Sequence, residues 1–282
     1  MKNLIKISIM LFIGCCFAAC DIVENVSEDP NGSPIPTPTG DTLAKRVLLE
    51  EYTGHQCGNC PPAAVTAKEI LAAKNGRVSL VTIHAGFFAR TNASGKYSTN
   101  FVVPEGLAYY NAFSVSVNPI GTVDRKDYSG SKPINESLWE EKVTEQLTKS
   151  ARVYLKSNHT YDVNSRLLEI NTRIVMLNNV DTTLRILALI TEDKIVDWQT
   201  DYSKTPPDVS DYSHSHVLRG SMNSTWGDEL FTTSAIAGAN FSKSFSLTLN
   251  PNWNANNCSV VIFVYNDITK EVEQVEELKI IQ

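Results

Sequence analysis

Leu48-Leu49-Glu50-Glu51-Tyr52-Thr53-Gly54-His55-Gln56-Cys57-Gly58-Asn59-Cys60-Pro61-Pro62 is the stretch on which the reading of this chain turns. Arg46 to Tyr52 runs apolar and predicts a strand. Pro61 and Pro62 suit the first turn of a helix, where a missing amide proton costs nothing. That helix is expected to reach Lys74, with Val65, Ile70 and Leu71 near one face, and Asn75-Gly76 ends it. Arg77 to His84 predicts a second strand. Strand, helix and strand in this order predict a βαβ unit with a right-handed crossover. Successive strand residues point to opposite faces, so one of Glu50 and Glu51 is expected to face solvent.

Two cysteines separated by two residues can close a small disulfide. At a helix start, the first thiol meets unpaired N–H groups and the positive end of the helix dipole. Both favour thiolate, the attacking species. Cys57 is therefore the candidate nucleophile, expected at the surface, and Cys60 the resolving thiol. Two other readings of the pair stay open. One is a structural zinc site that recruits Cys258 or a histidine, although no second pair of cysteines is present to complete four ligands. The other is an inert local bridge of the kind exported proteins carry.

The segment resembles the strand-to-active-site region of thioredoxins. In that family an acidic residue six before the first cysteine moves protons, a place held here by Glu51. The family also sets a cis-proline beside the disulfide, just before the next strand, and Asn118-Pro119-Ile120 fits that place. The resemblance implies a thiol-disulfide oxidoreductase acting on a thiol or disulfide protein substrate. Cys57 would attack, Cys60 resolve, Glu51 move protons and Pro119 shape the groove, with no cofactor. The chain departs from the pattern at Gln56, where an aromatic is usual, and in the Gly58-Asn59 dipeptide. An edge hairpin is also short or missing. His55 is expected to be a solvated loop residue, or a stabiliser of the Cys57 thiolate if protonated.

The chain opens with Lys2 and Lys6, then an apolar run from Ile7 to Ala19. This pattern fits a secretory leader and is short for a membrane span. Phe17-Ala18-Ala19-Cys20 resembles a lipobox, which implies cleavage of residues 1–19 and lipidation at Cys20; Cys15 is a weaker alternative. Several acyl chains hold a protein firmly on a membrane. Residues 20–42, with Pro30, Pro34, Pro36 and Pro38, then read as a tether. The formal charge of −6 becomes −8 without Lys2 and Lys6, which argues against nucleic acid as a partner.

The remaining 240 residues suit two domains. The expected fold class is an α/β thioredoxin-like domain over residues 43–150 followed by an all-β, immunoglobulin-like sandwich over residues 151–282. In the first domain, short helices are expected near Glu105–Phe113 and from Ser137, with a third strand at Ile120–Arg125. From Ala151 alternating patterns predict strands at 152–161, 167–177, 184–191, 241–249, 259–265 and 272–280. Asp193 to Glu229 reads as one long polar loop. His214 and His216 within it invite a metal reading, but no dependable third ligand follows, so pinning of the loop is preferred. Trp198, Tyr202, Tyr212 and Trp226 are candidates for an aromatic contact surface or a cap on the sandwich edge. Cys258 opens an apolar strand and reads as a buried, inert thiol.

As a whole, residues 45–282 resemble Gram-negative outer-membrane lipoproteins named for a twenty-eight-kilodalton member. The likeness rests on Glu51 to Pro61, Val117-Asn118-Pro119, His214 to Arg219 and Val260 to Asp267. It implies an outer-membrane, lipid-anchored location. It also admits a second function: a non-catalytic lipoprotein that binds protein or glycan, with Cys57–Cys60 as a structural bridge.

Overall fold

A computed structural model describes residues 43–281. The leader, Cys20 and the tether lie outside the described residues. The expected first elements form: β1 (Val47–Thr53), α1 (Cys60–Ala73) and β2 (Val78–His84), with β1 and β2 parallel and in register from Val47↔Val78 to Thr53↔His84. Then follow α2 (Pro104–Ala112) and β3 (Ile120–Val123), and β3 runs antiparallel to β1 with Tyr52 opposite Ile120. α3 (Trp139–Leu147) is entered through a short 3-10 turn at Glu136–Leu138, which the Asn135 side chain caps by accepting from the Ser137 amide.

The C-terminal half is built of strands, with one 3-10 turn at Ala255–Asn257: β4 (Val153–Asp162), β5 (Leu167–Met176), β6 (Leu184–Glu192), β7 (Ile195–Thr200), β8 (Asp208–His214), β9 (Val217–Ser221), β10 (Asp228–Phe231), β11 (Asn240–Thr248), β12 (Cys258–Asn266) and β13 (Val272–Lys279). Residues 193–229, expected as one loop, thus hold three whole strands and the first half of β10.

The expected fold class, a thioredoxin-like α/β domain followed by a separate immunoglobulin-like sandwich, is overturned by the sheet topology. A single mixed sheet runs in the order β13-β12-β6-β9-β2-β1-β3, with β10 paired to β6. It takes strands from both sides of residue 150. The splice is β2 against β9, parallel at Thr82↔Val217, with the Thr82 amide donating to His216 O at 2.8 Å. Among the described residues three α-helices accompany thirteen strands, so the molecule is dominated by sheet. A second sheet, β11-β5-β4, packs on the large one.

The large sheet buries both faces of its central strands. In β6 and β12 the even-numbered residues Ile186, Ala188, Ile190, Val260, Ile262 and Val264 point toward the small sheet and meet Val153, Leu168, Ile170 and Ile174. The odd-numbered Leu187, Leu189, Val261 and Phe263 point the other way and join Leu48, Tyr52, Val81 and Ile83. One apolar layer therefore crosses the splice, because strand side chains alternate with period two. The opposite face of β1 and β2 is covered by α1 and α3 through Val47, Leu49, Ala67, Ile70, Trp139 and Val143. β1 is thus enclosed on both sides, and neither Glu50 nor Glu51 reaches solvent.

Candidate functional site

Where β1 ends, the chain turns through Gly54 and enters the cysteine loop. Gly54 lies so close to the backbone of Phe88 and Ala89 that a Cβ there would fall 2.4 Å from Phe88 C. The Gln56 amide donates to Phe88 O at 3.0 Å, and the Cys57 amide to Gly54 O at 2.9 Å. Pro61 and Pro62 open α1 as expected, and Cys60 is its first residue. Cys57 and Cys60 form a disulfide. Both are 2% exposed, so Cys57 is not the surface residue that the sequence leads one to expect.

The cover comes from residues that read as loop in the sequence. β7 and β8 pair antiparallel, from Ile195↔His214 to Thr200↔Asp208, and form a hairpin over the cysteine loop. The Thr200 amide donates to His55 O at 2.8 Å and the Tyr202 amide to Gly58 O at 3.0 Å. The buried Gln199 amide group donates to Cys57 O at 3.0 Å. The Tyr202 ring lies over Gly58, where a Cβ would fall 2.5 Å from ring atoms. From the far side, Tyr97 Oη donates to Asp208 at 2.6 Å and lies 2.9 Å from Thr200 Oγ1.

A cavity of about 20 Å³ lies beneath, lined among others by Glu51, Cys60, Lys68, His84, Gln199 and His214. That is the scale of one water molecule. Its polar groups are poorly satisfied: Glu51 Oε1, both ring nitrogens of His84 and Nε2 of His214 are buried without a hydrogen-bond partner. Burial pushes the Glu51 carboxyl up to about 7, against opposing effects of Lys68 and a hydrogen bond from Thr82. Burial holds His84 well below the usual histidine range, aided by His214. It brings His214 itself down to about 4.

Three of the sequence-predicted residues, Cys57, Cys60 and Glu51, thus gather at one place. The Asn118–Pro119 peptide is cis, and Pro119 precedes the residue paired with Tyr52 at the same end of β1. It does not line the cavity. His55 is 1% exposed, and its Nε2 lies 2.8 Å from Arg90 O. Burial lowers its pKa, so it is neither a solvated loop residue nor a cationic neighbour for a thiolate at neutral pH.

His214 and His216 diverge. His214 faces His84 and Phe101, whereas His216 Nδ1 lies 3.0 Å from Asp193. Among the described residues no group of three or more metal-ligating side chains is positioned to hold an ion. Trp198, Tyr202, Tyr212 and Trp226 form no common surface: Trp226 packs on Tyr109 and Phe113, while Tyr202 stays 66% exposed. Cys258 is buried and free, its thiol pushed up to about 12 by burial and Glu192.

Sequence reasoning missed Gln199 and His84, and it singled out Tyr202 for an aromatic surface and not for a place over the cysteine loop. A signal for the placement of Gln199 and Tyr202 was available. Branched and aromatic residues on either side of Thr205-Pro206-Pro207 are a hairpin pattern.

HBP35 of Porphyromonas gingivalis has a similar fold, at 14% identity, covering 84% of this chain and 76% of that chain with a TM-score of 0.65. A domain of the outer membrane lipoprotein Omp28 from the same organism aligns at 20% identity, covering 46% of this chain and 88% of that domain, with a TM-score of 0.33. No curated protein matches the sequence. The family described as outer membrane protein Omp28 matches residues 107–282, which include the β7–β8 hairpin but not the cysteine pair. No helix among the described residues is long and apolar enough to cross a membrane. The match takes in well over half of the sequence and agrees with the outer-membrane, lipid-anchored location that the resemblance of residues 45–282 implies: the chain belongs to the Omp28 family of outer membrane proteins.

Proposed function

We propose that this protein is a non-catalytic binding lipoprotein of the outer membrane, held at Cys20, in which Cys57–Cys60 is a structural bridge. The observation that supports this reading is the cover. An exchange-active disulfide has to admit an incoming thiolate in line with the S–S bond. Here both sulfurs lie under a hairpin fastened to the main chain of the cysteine loop itself. The bridge ties the end of β1 to the start of α1 and gives the hairpin a rigid platform. Partners, a protein or a glycan, would meet the folded body that the tether holds off the lipid. The test is the reduction potential of the pair in dithiol redox buffers. A structural bridge is expected below about −300 mV, whereas a value near those of thiol-disulfide exchangers would defeat the proposal.

One observation favours a second reading, a thiol-disulfide oxidoreductase acting on a protein thiol or disulfide. Glu51 is a buried carboxyl near neutral pKa lining the same cavity as Cys60. Such a group can exchange a proton with a leaving thiolate at physiological pH. On this reading the protein accelerates reduction of insulin by dithiothreitol and Cys57→Ala abolishes the acceleration. Equal rates with and without the protein would remove it.

A further inference from the structure

The hairpin that covers the disulfide is the folded-over end of a longer ribbon. β6 and β9 pair antiparallel from Leu189↔Ser221 to Glu192↔Val217. The next pair along the same two chains is Ile195↔His214, which opens β7–β8. Between the two ladders lie Asp193-Lys194 on one chain and Ser215-His216 on the other. Both joints contain a non-glycine residue in the left-handed region, Lys194 at φ 58° and His216 at φ 56°. Two such residues side by side turn both chains together, so the ribbon bends as a unit.

The bend is anchored to the body. The Asp193 amide donates to Asn257 O at 2.9 Å. The Asp193 carboxylate accepts from the His216 amide at 2.8 Å, and the Lys279 ammonium lies 3.0 Å from it.

Beyond the bend the attachment changes character. β7 and β8 form a two-stranded sheet that shares no ladder with the large one. An isolated two-stranded hairpin is at best marginally stable in water. Its seating therefore depends on what it touches: the bonds to His55, Cys57 and Gly58, the hydroxyl contacts from Tyr97, and the rings of Trp198 on Tyr97 and of His214 on His84 and Phe101. Its one ion pair among the described residues, Lys96 with Asp208, is about half exposed at the lysine and 35% exposed at the aspartate. The interface beneath it is not a well-packed apolar interior, since it holds unpartnered atoms of Glu51 and His84 from the body and of His214 from the hairpin. Lifting the hairpin would hydrate those atoms, which offsets part of the cost of opening.

We propose that β7–β8 is a hinged cover, turning at Asp193-Lys194 and Ser215-His216, and that its displacement sets the rate at which a dithiol reductant reaches Cys57–Cys60. The cover concerns the same walled-off pair as the proposed function and shares its premise that the seated hairpin excludes thiolates. The gated step is ordinary exchange. A thiolate of the reductant bonds to one cysteine sulfur, the Cys57–Cys60 bond breaks, and the other cysteine leaves as thiolate. The second thiol of the reductant then attacks the mixed disulfide and frees the first cysteine. Two electrons pass to the protein, the reductant departs as a cyclic disulfide, and its two protons end on the cysteines.

The experiment uses the full-length lipidated protein with dithiothreitol. Samples are quenched in acid, denatured, alkylated and weighed; buried Cys258 supplies a constant single thiol among the described cysteines. Hydrogen exchange of the hairpin amides is followed in parallel. Two variants loosen the cover from opposite sides. Gln199→Ala removes the bond to Cys57 O from the hairpin, and Tyr97→Phe removes the hydroxyl contacts to Asp208 and Thr200 without touching the cysteine loop main chain. Loss of a hydrogen bond of ordinary net strength corresponds to about a tenfold change in an opening equilibrium. Each variant is expected to speed reduction about tenfold, with hairpin exchange rising in proportion and the amides of β12 unchanged. If both variants speed hairpin exchange and reduction stays at the wild-type rate, the gate is refuted while the covered bridge stands. If wild type is reduced as fast as an unfolded peptide carrying the same two cysteines, the covered reading itself fails.

Discussion

Glu50 and Glu51 are adjacent on β1, both almost fully buried, and their surroundings are opposite. Glu50 points into the layer shared with β6 and β12. It accepts from Arg125 Nε at 2.9 Å, forms an ion pair with the same guanidinium at 2.5 Å, and accepts from Thr122 Oγ1 at 2.8 Å. The Arg125 guanidinium is itself flanked by the rings of Tyr109, Phe113 and Phe263, at 4.6, 5.2 and 4.9 Å. Glu51 points to the other face, beneath the hairpin, with one weak bond from Thr82 at 3.5 Å and Oε1 unpartnered. One carboxylate is neutralised by its partner; the other is held back from ionising by burial. A buried charge that is fully paired belongs to the architecture, whereas a buried group left unpaired keeps its proton equilibrium available.

The largest effect should come from breaking the paired side. Arg125→Ala leaves Glu50 charged, enclosed and without a cation, at a cost of about 3–5 kcal/mol in urea unfolding. Replacing both partners, Glu50→Leu with Arg125→Met, should recover most of that loss. A double variant as unstable as the single one would mean that the aromatic cage, and not the charge, needs the arginine.

The unpaired side should respond to pH. The folded Glu51 carboxyl, raised from 4.5 to about 7, holds its proton where the unfolded chain has lost it. Stability therefore falls as pH rises from 4.5 to about 7, and the full penalty of roughly 3 kcal/mol applies above that window. Glu51→Gln should gain on wild type by up to about 3 kcal/mol across the same window. His84 and His214, whose pKa values are lowered, act in the opposite sense, but they are present in both proteins and cancel in the difference. A difference independent of pH between 4 and 8 would place the Glu51 carboxyl in water.

A smaller effect is expected at the turn out of β1. Gly54→Ala forces a Cβ against the Phe88 backbone and should cost about 1–3 kcal/mol, read by thermal unfolding. The smallest belongs to the hairpin's surface ion pair. Lys96→Ala removes a half-exposed partner of Asp208 and should stay within about 1 kcal/mol. A larger loss would mean that Lys96 seats the hairpin through Trp198, over whose ring its ammonium lies at 4.9 Å.

Local patterns were legible wherever the signal was local. The helix after the cysteines, the strands around it and six of the C-terminal strands follow from proline placement and apolar alternation. The hairpin of β7 and β8 did not stand out, because Asp197, Gln199 and Asp211 break its apolar pattern and polar stretches of that length read as loop. The expectation that one of the two glutamates would face water failed for a related reason. Alternation assigns a residue to a face of the sheet, but not what covers that face. The fold-class expectation failed because β2 and β9 lie more than a hundred residues apart, and their pairing rests on a short contact that no local pattern announces.

The sequence by itself suggested a leader and a lipid site, and it determined the βαβ start, the cysteine spacing that closes a bridge, and six of the ten strands described after residue 150. Tertiary structure alone decided that the strands of both halves join in one sheet. It alone turned the polar stretch after β6 back over the bridge, and it alone left Glu51 unpartnered while Glu50 found Arg125. The physical reason is range. Backbone propensity and side-chain alternation act over a few residues, whereas exposure, ion pairing and the ionisation of buried groups depend on neighbours that only the folded chain brings together.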